Sequence, residues 1–120
     1  MSLAVLCAIG FLGGIGAVAR FLLDGAVATR VRHSFPWGTL TVNLTGSLGL
    51  GMLVAAVDGD PLRLAGTGLI GAFTTFSTWA LESHRLGEDG QLRLGILNFA
   101  VSLILGVGAV WLGQQVGAAL

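Results

Sequence analysis

Lysine is absent from this chain of 120 residues, and its six arginines and six acidic residues make up only 10% of it. A soluble domain carries about 25% charged residues, so an ordinary water-facing surface is excluded. The formal charge is zero, which leaves no basic patch for a nucleic acid and no acidic tail. There is one cysteine, Cys7. That excludes a disulfide framework and a cysteine metal site, and Cys7 reads as a small apolar packing residue. No activated nucleophile, acid–base pair or metal-ligand cluster is legible, so enzyme chemistry is not expected. What is present in quantity is apolar: 54% of the residues are hydrophobic, and the mean hydropathy is +0.89. The 20 glycines follow no Gly-X-Y period, which excludes collagen. They suit membrane helices that pack closely.

A membrane helix needs about 20 apolar residues. Four segments qualify, at about 3–23, 37–57, 62–84 and 94–116, within a single membrane domain covering 1–120. Their connections are short and hold nearly all the charge. Ala17-Val18-Ala19 has the form of a signal-peptide cleavage site. No positive n-region precedes it and glycines interrupt the apolar run, so residues 1–23 are expected to stay as a helix. The class expected is an all-α integral membrane protein.

The polar residues inside these segments carry the functional signal. In the third, Thr74, Thr75, Ser77 and Thr78 fall within five residues, interleaved with Phe76 and followed by Trp79. Such a patch at membrane depth is tolerated only where it faces protein or water. Phe73, Phe76 and Trp79 recur every three residues, and their electropositive ring edges can approach an anion without a fixed charge. In the second segment Thr39, Asn43 and Ser47 share one face at a spacing of four. Asn43 needs a partner, either as interhelical glue or as a donor lining a polar path. Trp37, after Pro36, sits where an interfacial anchor belongs. Asn98 and Ser102 share a face of the fourth segment. Arg20 either snorkels to the interface or acts as a buried cation that draws anions or pins a neighbouring backbone. Gly10 and Gly14, extended by Gly13 and Ala17, form a small face for close packing. Glu82 and His84 are expected on a solvated face near the aqueous end of the third segment.

These residues resemble a known family. Pro36-Trp37-Gly38-Thr39-Leu40-Thr41-Val42-Asn43 is similar to one signature of the small bacterial fluoride channels, the CrcB or Fluc family. Gly71-x-x-Thr74-Thr75-Phe76-Ser77-Thr78 is similar to the other. The resemblance covers the whole chain. It implies an antiparallel dimer of four-helix subunits in the bacterial plasma membrane, with the third helix broken at mid-membrane. It implies one structural sodium ion at the dimer centre, held by the backbone carbonyls of Gly71 and Thr74 from each subunit. It also implies two fluoride pathways lined by both subunits, through which fluoride leaves the cytoplasm passively. Phe76 and Trp79 would offer ring edges and Asn43 a donor. The threonines and serines of the third helix, among them Thr75, Ser77 and Thr78, would form a polar track with Ser102, with Thr39 also on the pathway and Arg20 near a vestibule. The chain departs from the family pattern at Trp79, where phenylalanine is usual, and at Gly106 and Val110, where some members carry hydroxyls.

The arginines bear on partners. Arg30, Arg32, Arg85 and Arg93, with Arg20 near them, fall on one side of the expected membrane, and Arg63 falls on the other beside both termini. An antiparallel homodimer needs a nearly balanced distribution. The alternative is a heterodimer with an oppositely biased paralogue. A small four-helix multidrug exporter would need a mid-membrane carboxylate, which the first segment lacks. A non-transporting subunit packed through its glycines would leave the hydroxyl–aromatic cluster unexplained.

Overall fold

The computed structural model describes residues 1–31 and 34–120; Arg32 of the charge count lies outside the described residues. Every regular element among the described residues is helical. Helix α1 spans Leu3–Arg30 and α2 spans Trp37–Ala56. A short α3, Gly59–Leu62, leads into a π-helix, Arg63–Ile70, and then α4, Gly71–Phe73. Helix α5 spans Ser77–Glu88 and α6 spans Leu92–Ala118. The chain is a multi-pass membrane protein: among the described residues α1, α2 and α6 are each long and apolar enough to cross a bilayer.

The apolar run 3–23 lies inside a longer helix. The Ser2 hydroxyl accepts the Val5 N–H at 3.2 Å and caps the start of α1. At the other end the helix continues through Asp24 to Arg30, which sits in the last turn where a cation favours the helix dipole. Charge ends the apolar run without ending the helix. Segment 62–84 behaves differently, because no single helix covers it. Gly66, Gly68 and Gly71 lower its helix propensity, and the hydroxyl side chains that follow compete for backbone groups. The π-helix closes as the Gly71 N–H bonds the Gly66 carbonyl, five residues back. At Thr74 the backbone turns extended, with φ −77° and ψ 159°. Helix resumes at Ser77.

Few side chains are fully buried, and most large apolar ones face outward, as expected where lipid is the solvent. The helices are held by close backbone approach instead. Helices α2 and α6 form one seam. A β-carbon at Gly51 would fall on the Val110 carbonyl oxygen, and one at Gly113 on that of Leu48. Gly117, the partner in the Gly113-x-x-x-Gly117 motif, meets the Met52 carbonyl in the same way. Helix α1 packs on the π-helix and α4 through Gly16, where a β-carbon would strike the Leu69 carbonyl. Of the expected small face, a β-carbon at Gly13 would lie 3.8 Å from the Gly68 carbonyl oxygen, while Gly10 and Gly14 have nothing within 4 Å of an added β-carbon among the described residues. Glycine spacing marks a small face but not which of its edges meets a neighbour. Helix α5 rests on α6. The two halves of the interrupted segment therefore lean on different long helices.

Candidate functional site

The interruption at Thr74–Phe76 is organised by a side chain from α2. Asn43 donates from Nδ2 to the Thr75 carbonyl at 2.9 Å, and its Oδ1 accepts the Thr75 N–H at 2.8 Å. One amide thus satisfies both polar groups of a residue that has left the helix, which would otherwise be costly in hydrocarbon. The bonding also frees two carbonyls. In a continued α-helix the Thr75 N–H would close onto Gly71 and the Thr78 N–H onto Thr74. Here the first goes to Asn43 and the second to the Thr75 hydroxyl, at 3.2 Å. The Thr74 hydroxyl bonds back to the Ile70 carbonyl at 3.2 Å, while its methyl group fills the space above Gly46.

Arg20 reaches the same place from α1. Its Nε lies 3.4 Å from the Ala72 carbonyl, two residues before the break. Of its readings, the pinned backbone is the contact that the geometry shows. A long contact of this kind is a weak hydrogen bond, but it sets a cation beside a run of freed carbonyls.

An open cavity of about 700 Å³ lies against this break, between α2, α6 and the interrupted segment. Asn43, Thr75, Phe76, Trp79 and Ser102 line it, together with Gly71 and Thr74. Phe76 stands out from the chain at 74% exposure, and its ring meets Trp79 edge-to-face at 5.2 Å between centroids. Trp79 is buried and stacks on Phe99 at 4.8 Å. Its indole N–H donates to the Asn98 carbonyl at 3.3 Å, so this donor is turned away from the cavity and the ring is what Trp79 presents.

The other expected residues lie apart. Ser77 and Thr78 are outside the cavity lining, and among the described residues neither hydroxyl finds a partner. Thr39, one turn from Asn43, is buried and donates to the Glu82 carboxylate. That corrects the reading of Glu82 as a solvated side chain: it is half-buried, facing α2. The apolar pattern around Glu82 gave no sign that α2 would present a hydroxyl to it. His84 is exposed and pairs with Glu88 at 2.7 Å. Asn98 was legible only as sharing a face with Ser102. It is fully buried, donating to Ser83 Oγ at 2.7 Å and accepting from the Ser102 hydroxyl at 3.3 Å. Thr41 and Thr45 spend their hydroxyls on carbonyls of their own helix, the bland use of such residues.

A helical membrane protein whose largely apolar cavity, set with a few polar groups, opens at an interrupted helix is the class this geometry defines. Its family follows from comparison with known proteins. The model described as "CrcB-like protein, Camphor Resistance (CrcB)" matches residues 7–114, and the chain belongs to that family. It is 50% identical over 117 residues to the fluoride-specific ion channel FluC 2 of Mycobacterium bovis, covering 97% of this chain and 93% of the relative. It is 41% identical over 122 residues to fluoride-specific ion channel FluC 1 of Leifsonia xyli, covering 98% and 89%. The fluoride-specific ion channel FluC of Hydrogenovibrio crunogenus is 38% identical over 120 residues, covering 93% and 89%.

Proposed function

We propose that this chain is a passive, fluoride-selective channel of the bacterial plasma membrane and not an enzyme, and that it lets fluoride leave the cytoplasm. The observation that carries the reading is the meeting of the exposed Phe76 ring, the Asn43 amide and hydroxyls in one cavity, in a chain whose relatives are named fluoride-specific ion channels. Desolvating a small anion is costly, so a conducting path must replace its water with donors and ring edges. Asn43 uses one of its amide protons on Thr75, which leaves the second for the cavity. Phe76 supplies a ring edge with no fixed charge. An inside-negative potential drives the anion outward at about 2.3 kcal/mol per charge per 100 mV, so a leak suffices.

The same reading counts the interrupted segment as a third span, broken at mid-membrane, giving four per subunit. Two subunits pair antiparallel with their breaks in contact. The fit of a sodium ion there rests on the donor set: Gly71 and Thr74 have lost the N–H groups that a helix would bring to their carbonyls, and freed carbonyls are hard oxygen ligands for such a cation. Sodium would supply positive charge that holds the irregular backbone together. Its role is structural, so a sodium gradient is expected to leave fluoride flux unchanged. The arginine bias across the membrane favours a second reading of the assembly, in which a paralogue of opposite bias replaces one copy. Reporters on the C-terminus active on one side only distinguish the two: signal from both sides supports the homodimer.

Purified protein in liposomes tests the function directly. Fluoride should run down its gradient while chloride is held back. Chloride flux comparable to fluoride flux would overturn the assignment.

A further inference from the structure

Asn98 is buried completely, makes three hydrogen-bonding contacts, and lies outside the cavity lining. Two of them lead to Trp79. The Asn98 backbone carbonyl takes the Trp79 indole N–H at 3.3 Å. Its side-chain amide donates to Ser83 Oγ at 2.7 Å, and that hydroxyl in turn donates to the Trp79 backbone carbonyl at 2.9 Å. Trp79 is thus gripped at its ring by one end of Asn98 and at its backbone by the other. Phe99, the next residue of α6, closes the grip by stacking on the indole with the planes 19° apart. Phe76 has no such support. Its ring is largely exposed, it follows a break in the helix, and the aromatic contact it makes is the edge-to-face one with Trp79.

We propose that Asn98 is a positioning residue, which fixes the Trp79 ring through Ser83 and its own carbonyl and thereby sets the Phe76 ring at the cavity wall. The inference rests on the channel reading for its effect on flux, but the clamp on Trp79 stands on the hydrogen bonds alone. Ser102 belongs to the same device. Its hydroxyl proton is committed to Asn98 Oδ1, which orients the oxygen on the cavity side. A fully satisfied buried network of this kind holds one arrangement, and removing one member loosens the rest.

The test uses a chain in which Trp37→Phe and Trp111→Phe leave Trp79 as the reporter, with flux compared inside that background. Asn98→Leu removes the amide at nearly constant volume, and Ser83→Ala breaks the same link with less risk to folding. Acrylamide quenching of Trp79 should rise about two-fold in each as the local structure opens. Fluoride efflux from liposomes should fall roughly ten-fold, the order of loss expected from a misplaced ring-edge contact. Ser83→Thr keeps the hydroxyl and should restore both readouts. Unchanged quenching in a folded Ser83→Ala protein would overturn the clamp. Raised quenching with undiminished flux would overturn the positioning role. If the parent chain moves no fluoride at all, the channel reading fails, and quenching still decides whether Asn98 holds Trp79.

Discussion

Helix α2 makes two kinds of close contact, and they differ in what they leave for chemistry. Against α6 it presents Gly51 to a carbonyl and receives Gly113 on one of its own. Both helices keep their internal hydrogen bonds there. Against the interrupted segment it presents Asn43, which takes over the backbone bonds of Thr75. There the ladder is broken, carbonyls are released and a ring stands free. In lipid, two backbones can approach by deleting side chains or by substituting a side chain for backbone partners. The first gives rigidity, and only the second creates a site.

Substitutions can break this contrast at either contact. The largest effect is expected at the seam. Gly113→Leu forces a side chain into the Leu48 backbone and should cost about 3 kcal/mol or more, read as loss of monodisperse protein and a lower thermal midpoint in detergent. Asn43→Leu comes next. It strands the Thr75 N–H and carbonyl and should cost about 2 kcal/mol, with fluoride flux abolished while the α2–α6 seam survives. Flux retained in that variant would show that the break needs no side-chain support. Phe76→Ile should leave stability within about 0.5 kcal/mol, since the ring is exposed. Its flux should nonetheless fall roughly ten-fold with the loss of the ring edge; normal flux would reduce Phe76 to packing. The smallest effect is expected at Gly10→Ala, which faces open space and should raise stability by at most about 1 kcal/mol through helix propensity. A clear loss there, measured by the same thermal midpoint, would show that a second subunit covers that face.

The membrane class was legible from composition, whereas the apolar run 3–23 gave no sign that α1 continues to Arg30. Asn43 was legible as a residue that must find a partner, and it found one. What the sequence could not show was whose backbone it would meet, because Asn43 and Thr75 are brought together only by the fold. Glu82 was misread for the same reason, since its partner Thr39 lies on another helix. The glycines of α1 show a different limit. Spacing identified a small face, but of its glycines only Gly13 is met among the described residues, and the tightest contact falls on Gly16, a rotation of the helix that no periodicity fixes. Asn98 was visible as polar, and its hold on Trp79 depends on how α5 meets α6.

The two halves of the interrupted segment rest on different supports, the first on α1 and the second on α6, and this ties the site to the thickness of the membrane. Helix α1 has 28 residues and, at the usual rise, is about 42 Å long against a hydrocarbon layer of about 30 Å. At the average tilt of about 20° an excess of roughly 9 Å remains, which would set its charged last turns in the headgroup layer. A bilayer that thins makes α1 lean further. Gly16 leaves no slack against Leu69, so the first half of the interrupted segment must lean with it, while α5 follows α6. The joint between the halves is the stretch from Thr74 to Phe76. A change in lipid thickness would therefore act as a bending load on a stretch of backbone that lines the cavity.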